Sequence, residues 1–261
     1  MPDLLETLVG DAFSSIQEGY YVIKRSPSPK KNKLAQAISA CKDNAIISEV
    51  KFSSPSLGAI NKSSDHIGIA ESMVKGGAVA LSVLTEPKHF AGSIKYLEEI
   101  VQKTEVPVLM KDIFVSPEQV KAASLVGADA IVLISSIFRR GMTEISLESM
   151  IREAHKFGLE VLLECHDLEE FTRGLKSKAD LIGINNRDLG TMQVSLEVSH
   201  KILSSVKGDL DKIVVVESGL HDSADVNALR MLGAKAFLVG TSIMSSGNIE
   251  EKVAQMVKQH D

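Results

Sequence analysis

Five charged residues stand where charge is hardest to place. Glu49, Lys51, Lys111, Glu164 and Glu217 lie within or at the end of runs of Val, Ile and Leu, and burying an unpaired ion in such surroundings is costly. Asn185 closes a sixth apolar run in the same way. Any one of them alone could mark the point where a strand meets solvent. Three glutamates and two lysines gathered at one end of a set of strands would form a mixed cluster of acids and bases. Such a cluster can shift the pKa values of its own members and set a proton donor beside a proton acceptor, which suits general acid–base catalysis.

A second signal concerns an anion. Glu217-Ser218-Gly219 and Gly240-Thr241-Ser242 each follow an apolar run. Glycine lets backbone N–H groups approach a phosphate closely, and a helix starting nearby adds its positive end. Turn chemistry would explain either glycine alone; the two together point to a phosphorylated ligand. The segment SSPSLG (Ser53 to Gly58), directly after Lys51, reads either as a proline-stiffened loop offering hydroxyls to the site or as a surface turn. Arg187, in INNRD, can grip a carboxylate with two parallel hydrogen bonds or pair with Asp188 at the surface.

The elements that must position these residues recur with a regular spacing. Eight apolar runs follow one another: Ala45 to Lys51, Val79 to Thr85, Val106 to Lys111, Ala130 to Ser135, Glu160 to Glu164, Leu181 to Asn185, Lys212 to Glu217 and Ala236 to Gly240. Their ends fall about 20 to 35 residues apart, the length of a strand plus one crossover helix. They are apolar nearly throughout, as expected of parallel strands covered on both faces. Gly77-Ala78, Gly127-Ala128 and Gly233-Ala234 each close a helical segment before a run, where glycine can end a helix in the left-handed conformation. No G-x-G-x-x-G or P-loop pattern is present. The pattern predicts an α/β fold, a (β/α)8 TIM barrel, whose active site lies at the carboxyl ends of its strands.

The 261 residues carry a net charge of −5, spread over interspersed acids and bases, which gives no footprint for nucleic acid or an anionic membrane. No apolar run approaches the roughly 20 residues of a membrane span. Cys41 and Cys165 lie far apart, without the spacing of a metal site, a redox motif or a disulfide framework. These features predict a cytoplasmic protein acting on a small molecule. Residues 1–44 form an N-terminal helical extension, with helices near Leu4 to Glu18 and Leu34 to Lys42 separated by the basic stretch RSPSPKKNK (Arg25 to Lys33). The extension has too few apolar residues for a core of its own, so residues 1–261 are expected to form one barrel domain. It either simply packs on the barrel or contributes to a lid.

Eight segments carry a family resemblance: IISEVKFSSPSLG (Ile46 to Gly58), LSVLTEPKHFAGS (Leu81 to Ser93), VPVLMKDIFVSPEQV (Val106 to Val120), GADAIVLI (Gly127 to Ile134), GLEVLLECHD (Gly158 to Asp167), IGINNRDL (Ile182 to Leu189), VVVESGL (Val214 to Leu220) and GAKAFLVGTSIM (Gly233 to Met244). In order and in content the set resembles indole-3-glycerol-phosphate synthase, the ring-closing enzyme of tryptophan biosynthesis. The resemblance implies a carboxy-lyase reaction on 1-(2-carboxyphenylamino)-1-deoxyribulose 5-phosphate, with no metal or organic cofactor. Lys111 resembles the general acid at the ketone oxygen, and Lys51 a phosphate-contacting lysine that also serves the later dehydration. Glu49 resembles the general base, while Glu164 and Glu217 resemble carboxylates that orient the lysines and the substrate hydroxyls. Asn185 and Ser218 would add neutral hydrogen bonds. Gly219, Gly240 and Thr241 match the phosphate cradle, Ser54 and Arg187 the side that receives the substrate carboxylate, and Phe90, Pro55 and Leu133 the apolar walls. Phe52 and Cys165 depart from the commoner residues beside the site and are expected to face away from it.

Two rival readings follow from the same residues. A phosphoribosylanthranilate isomerase would use a cysteine base, and both cysteines stand in the wrong places for that. A catalytically silent phosphate-binding barrel, acting as a binding or assembly subunit, would have no reason to retain costly charges in its mouth. The resemblance is compatible with a monomer and with other tryptophan-pathway enzymes as partners.

Overall fold

The computed structural model describes residues 3–25, 32–61, 63, 65–188, 190–206 and 210–259. Eight parallel strands close into a barrel: β1 (Ala45–Val50), β2 (Ala80–Leu84), β3 (Val108–Lys111), β4 (Ala130–Ile134), β5 (Glu160–Cys165), β6 (Leu181–Asn185), β7 (Ile213–Glu217) and β8 (Ala236–Val239). Each pairs with its neighbours in the sequence of strands, and β8 returns to β1. The observed strands fall within a residue or two of the predicted runs. The start of β3 shows why they are not identical: Pro107 has no N–H to donate, and only its carbonyl takes part, accepting from Leu81 N–H.

Helices α3 (His66–Lys75), α4 (Ile94–Lys103), α5 (Pro117–Val126), α7 (Leu147–Lys156), α8 (Leu168–Lys176), α9 (Glu197–Ser205), α10 (Ser223–Met231) and α12 (Ile249–Val257) sheathe the barrel. Short helices α6 (Ser135–Arg139) and α11 (Thr241–Met244) follow β4 and β8 directly. Local chemistry fixes their ends. In α5, Ser116 and Gln119 form a reciprocal capping box with Pro117 in the first turn. Gly77, Gly127 and Gly233 carry the predicted left-handed conformation, with φ of 100°, 95° and 105°.

Strand side chains alternate between two cores. Ile47, Leu109, Val132, Leu162, Val215 and Leu238 fill the barrel interior, whereas Ile46, Met110, Leu133, Leu163, Val216 and Phe237 belong to the core shared with the outer helices. Burying each such side chain contributes about 1.5–3 kcal/mol, so the barrel is a packed support for whatever projects at its rim.

The extension engages both ends of the barrel. Helix α1 (Leu4–Gln17) lays Leu5, Leu8, Val9 and Ala12 against Ile113, Val115, Ile134 and Ile137 at the carboxyl end. Helix α2 (Leu34–Ala40) inserts Leu34 and Ile38 among Ala45, Ile47 and Leu109 at the opposite end, where Leu34 N–H donates to the Glu160 carboxylate. Between them, Tyr20 Oη donates to the Thr85 carbonyl at 2.8 Å, and Tyr21 Oη donates to Asp112 Oδ1 at 3.0 Å. Most of the predicted basic stretch, residues 26–31, lies outside the described residues. No described helix is long and apolar enough to cross a membrane.

Candidate active site

The parity of the strands brings the predicted charges together. Glu49 on β1 is two residues beyond the inward Ile47, and Lys51 two beyond Glu49, so both reach the mouth. Glu164 on β5 and Glu217 on β7 follow the inward Leu162 and Val215 in the same way. Lys111, the last residue of β3, extends across to both, with Nζ at 2.6 Å from Glu164 Oε2 and 2.9 Å from Glu217 Oε2. Lys51 Nζ lies 2.6 Å from Glu49 Oε1. Asn185 Nδ2 donates to Glu164 Oε1 at 2.9 Å. Glu49, Glu164 and Glu217 are all buried, so the lysines supply counter-charge where an unpaired carboxylate would be costly.

Two glycines make room for this arrangement. A Cβ on Gly183 would overlap Glu217 Oε1, and one on Gly240 would come within 2.5 Å of Glu49 Oε1 and 3.1 Å of Lys51 Nζ. The Lys51–Glu49 pair therefore lies directly against the glycine that opens the β8 loop.

The electrostatics of the Lys111 cluster are uneven. Burial alone would lower the Lys111 pKa, but the charges of Glu164, Glu217 and Glu49 outweigh it and push it above the ordinary lysine range. Burial likewise acts to raise Glu164, but Lys111 and His166 overcome it and hold that carboxyl well below the usual carboxylate range. Burial pushes Glu217 up to about 7, opposed by Lys111 and reinforced by the Glu164 charge. The cluster thus holds a firmly protonated ammonium, one firmly ionised carboxylate and one carboxyl able to change state near neutrality.

These groups line a cavity of about 400 Å³ at the carboxyl ends of the strands, large enough for a small organic phosphate. Ser54, Pro55, Phe90, Asn185, Arg187, Ser218, Gly219, Gly240 and Thr241 line it as well. Ser218 and Gly219 are both held at positive φ, 67° and 82°, a conformation that a serine adopts at some cost. Arg187 donates to Ser56 Oγ at 3.1 Å and to the Met192 carbonyl at 3.0 Å. The surface pairing with Asp188 is not formed: that carboxylate accepts instead from the N–H groups of Gly190 and Thr191, at 2.9 and 2.6 Å. Burial lowers the Arg187 pKa, with Glu49 opposing.

Leu133 is a correction. It faces the outer helices, not the mouth. In a parallel ladder, residues in register point to the same side, and it is Ile134 that pairs with the inward Glu164. Val132 and Ile134 supply the wall expected of Leu133. Phe52 and Cys165 face outward as expected, Phe52 packing on Tyr96 with ring centroids 5.6 Å apart.

Several further residues line the cavity that are not among those predicted from the sequence. Asp112 immediately follows β3 and Glu86 stands two residues past the end of β2, so the same strand-end rule could have found them. Glu86 accepts from the N–H groups of Lys88, His89 and Phe90 at 2.9, 2.7 and 3.0 Å, which folds the loop that carries Phe90 over the cavity. Leu4, Leu5 and Leu8 of α1 form part of the wall, so the extension both packs on the barrel and encloses the site.

A barrel with an amino-terminal extension and a lysine–glutamate mouth now has a counterpart among known families: the family model of indole-3-glycerol phosphate synthase matches residues 11–256. The chain belongs to that family. An indole-3-glycerol phosphate synthase of Desulforamulus reducens is 38% identical over 82% of this chain and 78% of its own length. That of Geobacillus thermodenitrificans is 36% identical over 90% of both chains. Among solved structures, a thiamine phosphate pyrophosphorylase from Pyrococcus furiosus superposes with a TM-score of 0.60, covering 86% of this chain and 96% of its own, at 18% identity. An N-acetylmannosamine-6-phosphate 2-epimerase from Clostridium perfringens gives 0.59 at 16% identity, over 82% and 93%. At such identities the likeness concerns the fold alone. The indole-3-glycerol phosphate synthase family accounts for the chain from within α1 almost to its end.

Proposed function

We propose that this chain is an indole-3-glycerol-phosphate synthase. It is a carboxy-lyase that closes the second ring of 1-(2-carboxyphenylamino)-1-deoxyribulose 5-phosphate and releases carbon dioxide and water. The observation that carries the proposal is the ammonium of Lys111, gripped by Glu164 and Glu217 and facing the same cavity as the Lys51–Glu49 pair.

The ring carbon bearing the carboxylate attacks the ketone, and negative charge grows on the ketone oxygen. Lys111 stabilises that charge and delivers a proton to it; a preorganised donor of this kind is worth about 10²–10³ in rate. The electron-poor iminium then draws the electrons of the departing carboxylate back into the ring as carbon dioxide leaves. The former ketone oxygen finally departs as water, with Lys51 as acid and Glu49 as base for the remaining proton. Glu164 and Glu217 orient Lys111 and the substrate hydroxyls, and Asn185 and Ser218 add neutral hydrogen bonds.

Gly219, Gly240 and Thr241 cradle the phosphate, and the contact of Lys51 with the Gly240 position supports a second role for that lysine beside the phosphate. Ser54 and Arg187 receive the substrate carboxylate. In support, Arg187 has no carboxylate at ion-pair distance among the described residues, while Ser56 and Met192 hold it in place. Phe90, Pro55, Ile134 and α1 enclose the aromatic ring.

The test is conversion of the substrate to a product with indole fluorescence. Lys111→Met, which keeps the side chain's bulk, is expected to lower kcat by about 10²-fold or more. Well-folded native protein that binds the substrate without turnover would instead support the silent phosphate-binding barrel.

A further inference from the structure

Lys111 has two carboxylate partners of the same type, presented from two strands that flank β6 and at nearly equal distance. Their surroundings nevertheless differ. Both oxygens of Glu164 are engaged, Oε2 by Lys111 and Oε1 by Asn185. Behind Glu164, His166 places Nε2 at 3.3 Å from Glu164 Oε1 and Nδ1 at 3.5 Å from Glu170 Oε2. Glu170 is buried and pairs on its far side with Arg139, at 3.3 Å. Lys111, Glu164, His166, Glu170 and Arg139 therefore form a line of alternating charge from the mouth to the surface. Glu217 has no such support: Oε2 meets Lys111, and its buried Oε1 has no hydrogen-bond partner among the described residues.

We propose that His166 is a positioning residue that makes the two glutamates unequal: it fixes Glu164 as the permanent anionic counterion of Lys111 and leaves Glu217 as the carboxyl that returns a proton to Lys111 after its ammonium has given one to the ketone oxygen. The proposal rests on the role given above to Lys111 and goes beyond it, because there the two glutamates act alike. One ammonium between two buried carboxylates can balance only one of them. A second cation beside Glu164 decides which stays ionised, since an opposite charge within about 4–6 Å favours the charged form. The groups facing His166 are Glu164 of β5, Glu170 of α8 and, across the loop after β6, Asp188, whose carboxyl feels its charge. All three are acidic and favour the imidazolium. The contacts of His166 with Glu164 and Glu170 are at ion-pair distance, and the charge of the imidazolium is the part of them that His166→Lys can restore.

The test follows glutamate carboxyl carbons by NMR as pH is varied, on carboxyl-labelled protein without substrate, with signals assigned through Glu164→Gln and Glu217→Gln. In the native chain the Glu217 signal is expected to titrate near neutrality while that of Glu164 stays ionised. His166→Gln is expected to raise the Glu164 midpoint by about one pH unit or more, and His166→Lys to bring it back. In turnover, His166→Gln lowers kcat while KM stays within about twofold, the pattern of a change at the reacting groups. An unmoved Glu164 midpoint in His166→Gln, or a His166→Lys protein that titrates like it, overturns the proposal. So does an imidazole signal of His166 that is neutral at pH 7 in the native chain, a measurement that needs no variant. None of these titrations requires activity, so an inactive protein that titrates as expected would count against the ring-closing role and the proton transfer by Glu217, while the fixing of Glu164 by His166 would stand.

Discussion

Gly183 on β6 and Glu217 on β7 share one small volume: the Glu217 Oε1 atom occupies the space that a side chain on Gly183 would need. The glycine is therefore a condition for the Lys111–Glu217 contact. Gly183→Ala is expected to displace the carboxylate and to lower kcat by about tenfold or more, since a misplacement of about 1 Å can cost on the order of a hundredfold. Crowding a packed barrel costs about 1–3 kcal/mol of stability as well. Steady-state kinetics and a denaturant melt check both, and native kcat in the variant would remove Gly183 from the account.

The neighbours Leu133 and Ile134 separate packing from binding. Leu133 is fully buried against the outer helices, so Leu133→Ala is expected to cost about 2–5 kcal/mol and leave KM unchanged. Ile134 lines the cavity, so Ile134→Ala is expected to raise KM about tenfold. A raised KM for Leu133→Ala in folded protein would reverse the parity of β4.

Tyr21→Phe addresses the clasp between the extension and the barrel. Burial pushes the Asp112 carboxyl up to about 6, opposed by the donors Thr85, Ile113 N–H and Tyr21. Removing the Tyr21 hydroxyl leaves a buried acceptor short of a partner, which costs about 1–3 kcal/mol, and it raises Asp112 further. Denaturant midpoints measure the loss; a change below about 0.5 kcal/mol would mean that the contact carries no weight.

His166 sets a pH dependence of stability. Burial acts to lower its pKa, but Glu164 and Glu170 outweigh it and raise it to about 9 from an ordinary 6.5. Between these values the folded chain holds a proton that the unfolded chain releases. The stabilisation is therefore complete below about 6.5 and lost as pH rises through about 9. Unfolding free energies across that interval should decline in the native chain and decline less in His166→Gln; parallel curves would contradict the shift.

The strands and most of the mouth were legible because charge within apolar runs gives parity as well as position. Glu49 and Lys51, two apart, mark one face of β1, and Glu164 and Glu217 mark theirs. The run of β4, Ala130 to Ile134, contains no polar residue; buried on both faces, it offers nothing to tell Leu133 from Ile134. Only its register with β5 supplies the answer. Gly183 and His166 were illegible for a different reason. The role of Gly183 depends on a carboxylate from the next strand, and that of His166 on Glu170 in the following helix as well as on Glu164. Contacts of this kind exist only once the chain has closed on itself.

Helix α2, with Leu34 and Ile38 set among the interior side chains, stoppers the packed barrel at the end opposite the mouth. In the proposed reaction the substrate enters by the mouth, beneath the leucines of α1, and the indole product leaves by it. A product lodged in that mouth stands in the way of the next substrate until it leaves.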